Sequence, residues 1–353
     1  MSFRKAICGI AVSLLATSPL HAAHAPKPVS ASDASFDQNA APSDIVQAIE
    51  NARPGEADNS MSEPLLVRVQ VLLDQAHFSP GEIDGRYGAN LKAAVAAYKE
   101  AHRLPNPDKI DAALLDSLKQ ETGAPVLQRY TIRPDDETGP FIGNVPKDFR
   151  KLAKLKRPGY GAPQEALAEK FHMSEALLRE LNPQADFSAA DTSLIVAQPA
   201  TTPLPPVARV EVDKSADQVR AYDGSGTLVA MFPSTVGSTE MPAPSGTAEV
   251  VYASHDPAYH YDPSKLHFGP KHAGRLTIAP GPNNPVGTTW IALSRSGVGI
   301  HGTADPDLIG KTASHGCVRL TNWDAAALGH AVSKGTPVEF VGQTPPSRIV
   351  SRA

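Results

Sequence analysis

The chain is poor in cysteine: 353 residues contain two, Cys8 and Cys317. That excludes a disulfide-stapled scaffold, which needs several pairs at regular spacing. Aromatic residues are scarce, at 6%. Positive charge is not in excess, since 33 Lys and Arg face 37 Asp and Glu for a net −4. Without a basic field there is nothing to draw a phosphate backbone, so no nucleic-acid partner is expected. Long apolar runs are missing too. The apolar stretch Ala6–Ala16 falls short of the about 20 residues that span a bilayer.

What is present is a globular balance, 41% hydrophobic and 20% charged, with 26 glycines and 33 prolines. The excess of Gly and Pro favours turns and short strands over a helical bundle. A length of 353 residues allows two or three domains at roughly 100–200 residues each.

Arg4 and Lys5, the apolar stretch and the small residues Ala22, Ala23 and Ala25 predict a Sec-type signal peptide over 1–25, with export to the periplasm or beyond. An uncleaved anchor is the alternative. Cleavage removes Cys8 and leaves Cys317 as the one thiol of the mature chain. An exported thiol without an internal partner is a candidate reactive group, and its neighbours Ser, His, Gly and Arg make a poor apolar pocket for an inert one.

Residues 26–60, rich in Ala, Ser, Pro and Asp, predict a mostly disordered tether, compatible with a short helix around Asp44–Ala52. Residues 61–122 are organised. Leu65, Val69, Leu72, Leu73 and Ala76 recur at helical spacing, followed by the turn Ile83-Asp84-Gly85-Arg86-Tyr87-Gly88. A second helix carries Leu91, Ala94, Val95 and Tyr98. A third, capped by Asp111, carries Leu114, Leu115 and Leu118. Residues 130–198 read as strand, two helices and strand, the second helix capped by Ser174, with a Pro-, Gly- and charge-rich insertion at 133–162. Residues 199–206 form a Pro-rich linker.

From 207 to 342 the rhythm becomes that of short strands: Val210 and Val212, Gln218–Tyr222, Leu228–Phe232, Thr247–Tyr252, Thr289–Leu293, Gly299–His301 and Val338–Val341. One helix stands out, capped by Thr321 with Asp324 in the capping-box position. Residues 343–353 read as a tail. The expected architecture is multidomain α+β, with a mostly β, sandwich-like last domain.

Chemistry concentrates in Ile300-His301-Gly302-Thr303 and Ser314-His315-Gly316-Cys317-Val318-Arg319. A thiol needs a base or a nearby positive charge to become a thiolate. His301, His315 and Arg319 supply candidates. Gly316 permits a sharp bend that aims backbone N–H groups at a developing oxyanion. A zinc site on His301, His315 and Cys317 is the rival reading, but no second cysteine or carboxylate stands at ligand spacing, so no metal or cofactor is expected.

Three resemblances follow from these residues. Residues 61–122, with the Ile-Asp-Gly turn and the helix end Tyr-Lys-Glu-Ala-His-Arg-Leu-Pro, resemble the peptidoglycan-binding domain 1 family. Residues 130–198 look like a divergent LysM module, which implies binding of the glycan. Residues 207–342, with Pro244-Ser245-Gly246-Thr247, Asn284-Pro285-Val286-Gly287 and the His-Gly-Thr and Ser-His-Gly-Cys-Val-Arg motifs, resemble the YkuD family of L,D-transpeptidase catalytic domains. That resemblance implies a cysteine acyl-enzyme on peptidoglycan stem tetrapeptides. Cys317 would be the nucleophile and His301 the general base. Gly302 would fix the base's tautomer through its carbonyl, with His315 shaping the pocket or holding substrate and Gly316 bending the catalytic loop. Arg319, Ser314, Tyr259 and Tyr261 would stand at the substrate, Ser314 also steadying the loop. His255, His260, His267 and His272 lie in a stretch that often covers the cleft in the family. The resemblance further implies covalent inhibition by carbapenems. It leaves open transfer to a second stem, transfer to an outer-membrane protein or lipoprotein, and hydrolysis. A wall-binding protein without activity is the reading from another class.

Overall fold

The structure, a computed structural model, describes residues 36, 41–55, 61–123, 125–238, 241–264, 269–270, 272–314 and 316–343. The proposed signal peptide and residues 344–353 of the proposed tail lie outside the described residues, as do His267 and His315.

Helix α1 (Pro42–Asn51) starts on a proline at its first position, where the missing N–H has no partner to lose. It buries Ile45 and Ile49. This is the short helix expected around Asp44–Ala52. Glu50 accepts from the backbone N–H groups of Val126 and Leu127 at 2.9 and 3.1 Å, so the segment is tied into the fold.

Helices α2 (Glu63–Gln75), α3 (Ala89–Ala101) and α4 (Ala112–Thr122) follow. Each apolar residue named from helical spacing is buried. The Ile-Asp-Gly turn is held by Gln70, whose Oε1 accepts from the N–H groups of Asp84 and Gly85 at 3.1 and 2.8 Å. Asp111 caps α4 by accepting from Leu114 N. Strands β1 (Leu127–Thr131) and β2 (Ser193–Ala197) pair antiparallel. Between them lie α5 (Pro134–Thr138), α6 (Phe149–Leu152), α7 (Pro163–Lys170) and α8 (Glu175–Leu181).

The remaining strands are β3 (Arg209–Asp213), β4 (Gln218–Tyr222), β5 (Leu228–Pro233), β6 (Thr235–Val236), β7 (Gly246–His255), β8 (Tyr259–Tyr261), β9 (Leu276–Ile278), β10 (Thr289–Leu293), β11 (Gly299–His301), β12 (Val318–Arg319) and β13 (Pro337–Val341). Among the described residues, nine of these form one mixed sheet in the order β5-β4-β3-β13-β7-β10-β11-β12-β6, and β8 and β9 form a separate two-stranded ribbon. The long β7 joins the two halves, pairing with β13 through its first residues and with β10 through its last. Alternating Val210, Val212, Val219, Ile291, Ile300 and Phe340 bury one core, against which α9 (Asn322–Ala331) packs Ala325 and Leu328. Thr321 Oγ1 accepts from Asp324 N at 3.2 Å. The carboxylate of Asp324 does not complete a capping box: it accepts from Ser79 Oγ at 2.9 Å, and the helical domain supplies that partner.

The helical and catalytic parts therefore share direct contacts. Phe78 bridges Met231 on β5, Glu100 pairs with Arg220 at 2.6 Å, and Asn90 Nδ2 donates to Ile309 O at 3.0 Å.

Candidate active site

β11 and β12 run parallel, with Ile300 opposite Val318 and His301 opposite Arg319. Side chains alternate along a strand, so His301 and Arg319 share one face of the sheet, and Cys317, one residue before Val318, belongs to it. All three line a cavity of about 450 Å³ together with Tyr259, Trp290 and Pro257. A two-residue strand is enough here because Gly316 turns the chain into it at φ +105°, a conformation that favours glycine. The Gly316 N–H faces Ser314 Oγ at 3.3 Å.

His301 is buried. Its Nδ1 stands 2.7 Å from the carbonyl of Gly302. A carbonyl only accepts, so Nδ1 carries the proton and Nε2 keeps its lone pair. Burial pushes the imidazole pKa down to about 3; Arg319 pushes the same way, against the Gly302 hydrogen bond. Trp290, its cross-strand partner on β10, stacks on the ring at 5.5 Å between centroids. Gly302 has no room for a side chain: a Cβ would lie 2.2 Å from Asn322 Oδ1.

Cys317 is half-buried, and its thiol donates to Gly297 O at 3.5 Å. The thiol pKa lies above its ordinary value. Burial raises it above the ordinary 9.0, and a backbone hydrogen bond from Gly299 and the charge of Arg319 pull back only in part. The resting pair is a neutral thiol and a neutral imidazole. In a desolvated wall, separating them into thiolate and imidazolium would set two charges out of water.

Two of the expected substrate-side residues differ in where they stand. Ser314 is fully buried, and its Oγ donates to Cys317 O at 2.5 Å while facing the N–H groups of Gly237 and Gly316. Its hydroxyl staples the loop, as expected, and the residue stands in the cavity lining beside Cys317. Tyr261 is 1% exposed and packs into a cluster with Leu152 and Ile278, so of the two tyrosines it is Tyr259 that faces the cavity. The histidine-bearing stretch is strand as well as loop. His255 ends β7 and stacks on His330 at 4.1 Å, and His260, on β8, lines the cavity.

Sequence reasoning missed Trp290, Asn322 and Phe149. Trp290 was findable, since it sits in a strand whose neighbour carries His301. Asn322 Oδ1 accepts from Thr288 N at 3.0 Å and its Nδ2 donates to both oxygens of Glu169, which only the packed structure reveals.

Two families match the chain. The L,D-transpeptidase catalytic domain family, YkuD, covers residues 208–340, and a peptidoglycan binding domain family covers residues 62–118. Among curated relatives, a Bacillus licheniformis protein named for L,D-transpeptidase activity, YkuD, is 28% identical over 51% of this chain and 94% of its own length. The Escherichia coli K12 protein YbiS, named for the same activity, is 28% identical over 52% of this chain and 62% of its own. The solved catalytic domain of an Enterococcus faecium L,D-transpeptidase acylated by ertapenem is 23% identical, with a TM-score of 0.31, over 38% of this chain and 98% of that one.

Proposed function

Since residues 208–340 belong to the YkuD family of L,D-transpeptidase catalytic domains and are preceded by a peptidoglycan-binding domain, we propose that this chain joins peptidoglycan stem peptides through an acyl-enzyme on Cys317. The observation that carries the reading is the tautomer lock. His301 presents a free Nε2 because Gly302 O holds Nδ1, on the same sheet face as the Cys317 thiol.

The proposed reaction runs in two halves. The donor is the carbonyl between the third and fourth residues of a stem tetrapeptide. As that carbonyl reaches Cys317, the thiol proton passes to His301 Nε2 and sulfur adds to carbon. Collapse expels D-Ala, which leaves as the amine with the proton from His301, and a thioester remains. In the second half the side-chain amine of diaminopimelate on another stem attacks the thioester, loses its proton through His301, and frees Cys317 with a new amide between third residues. A neutral resting pair suits this order, because the proton moves only when a carbonyl is present to take the electron pair. Arg319 contributes positive charge beside the sulfur. His315 keeps its proposed place in the catalytic loop.

The helical domain and the βααβ module, read as LysM-like, would hold the cleft to the glycan outside the cytoplasm, the first 25 residues acting as the export signal. Among the described residues, no helix is long and apolar enough to cross a membrane. A carbapenem is expected to acylate Cys317. Incubation with disaccharide-tetrapeptide, followed by mass spectrometry, tests the reading: cross-linked dimer supports transfer, whereas tripeptide alone assigns the thioester to hydrolysis.

A further inference from the structure

Of the residues lining the cavity at Cys317, one comes from outside the catalytic domain: Phe149, on α6, inside the insertion at 133–162. This insertion interrupts the βααβ module, and its sequence shows no periodicity that would give it a core of its own. Besides contacts within the module, such as Asp136 with Lys170 and Tyr160 with Glu169, it reaches the cleft. Pro158 O accepts from Asn283 N at 3.0 Å, and Gly159 O accepts from Asn283 Nδ2 at 3.0 Å. Arg157 pairs with Asp256 at 3.3 Å. Asp256 and Asn283 flank two stretches of the cavity wall, Pro257–His260 and Pro285–Val286.

Phe149 completes this attachment. It is 3% exposed, and its ring meets Tyr259 edge-on at 5.7 Å and Tyr261 at 5.4 Å. Leu152 and Ile278 close the same small cluster, which is separate from the two larger cores. Tyr259, half-buried, therefore has an aromatic backing that the catalytic domain does not itself provide. The electrostatic influence of Cys317 and Arg319 reaches the Tyr259 hydroxyl.

We propose that the insertion builds one wall of the substrate cleft and that Phe149 is a positioning residue, holding Tyr259 against the acyl donor beside the Cys317 thiol. The apolar faces of Phe149, Tyr259, Trp290 and Val286 suit the methylene stem of the third residue's side chain and the methyl of the terminal D-Ala, which flank the scissile carbonyl of a stem peptide. This rests on the transpeptidase reading for the identity of the donor. The cleft is then composite, and the catalytic domain cut away at residue 207 would bind donor poorly while keeping its thiol.

The test uses the full chain. Three variants are compared with the parent: Phe149→Ala, Phe149→Tyr, and Leu152→Ala as a control in the same cluster that does not line the cavity. Each is read by KM and kcat on disaccharide-tetrapeptide, by thermal midpoint, and by the rate of Cys317 alkylation with iodoacetamide. Binding of the same muropeptide is measured by calorimetry in a Cys317→Ala background. Phe149→Ala is expected to raise KM and the dissociation constant about fivefold to tenfold, the scale of one lost aromatic contact, with kcat and alkylation changed less than about twofold. Phe149→Tyr should restore binding, and Leu152→Ala should lower the midpoint without moving KM. Unchanged binding in Phe149→Ala, or equal loss in Leu152→Ala, overturns the proposal. A parent that binds muropeptide without turning it over sinks the transpeptidase reading instead, while the binding comparison still decides the role of Phe149.

Discussion

The carboxylate of Glu169, near the end of α7, accepts from Asn322 Nδ2 at 3.0 and 3.2 Å, and so ties the βααβ module to the first turn of α9. The other end of the Asn322 amide accepts from Thr288 N and abuts Gly302. Gly302 in turn holds the tautomer of His301. A contact from outside the catalytic domain thus ends at His301, the proposed base, three steps away. Asn322→Ala would remove the wedge and both hydrogen-bonded sides of the amide. The expected outcome is a fall in kcat of about tenfold with the thiol still alkylated at its parental rate, measured on muropeptide and iodoacetamide in parallel. Gly302→Ala, whose Cβ would overlap Asn322 Oδ1, should cost about 1–3 kcal/mol of stability in denaturant melts and lower kcat in the same way.

Acid should strengthen the junction between the helical domain and α9. Burial, with help from Asp74, pushes the Asp324 pKa up to about 7, against hydrogen bonds from Thr321 and Ser79 and the charge of His172. Burial opposes charge on His172, yet Asp74, Asp324 and Glu169 outweigh it and raise its pKa. The facing groups are Asp74, Ser79, His172 and Asp324, with Glu169 beyond. For both titrating groups the folded pKa exceeds the unfolded one, so the folded state binds more protons, and stability falls as pH rises. Asp324 sets the window, from its ordinary 3.8 to about 7. The thermal midpoint should be higher at pH 5 than at pH 8, and Asp324→Asn should flatten that difference. A midpoint that climbs steadily toward pH 8 would contradict this electrostatic picture.

Alkylation of free Cys317 should follow a late titration. With the thiol raised above 9.0 and His301 neutral down to about 3, the rate should keep rising beyond pH 9 and show no step between pH 5 and 7. A plateau reached near neutrality would mean a preformed thiolate–imidazolium pair.

Ser314→Ala should separate a loop staple from a substrate contact. Removing the buried hydroxyl leaves Cys317 O and the N–H groups of Gly237 and Gly316 short of a partner, a loss of about 1–3 kcal/mol. Denaturant melts should register it, with KM for muropeptide unchanged.

Much of this arrangement was readable from residue order. Gln218–Tyr222, Thr289–Leu293 and Gly299–His301 stand in the structure with the predicted bounds, because half-buried strands announce themselves by alternation and flanking turns. Asp111, Ser174 and Thr321 cap the predicted helices, since a side-chain oxygen before an apolar run has a local backbone partner. What stayed hidden depends on contacts distant in sequence. Phe149 sits in an aperiodic insertion and meets Tyr259 across 110 positions of chain. The partner of Asp324 is Ser79, 245 residues away, so a capping box was the local guess. The direction of the Cys317 shift turned on burial, which a motif does not encode. Trp290 was legible: a tryptophan in the strand paired with that of His301, the proposed base, is a natural stacking partner.

The most direct test of the central claim is intact-protein and product mass spectrometry of the full chain with disaccharide-tetrapeptide. The expected result is a thioester adduct on Cys317, release of D-Ala and a dimer joined between third residues, all abolished in Cys317→Ala. Full turnover in Cys317→Ala, or tripeptide as the only product of the parent, would contradict it.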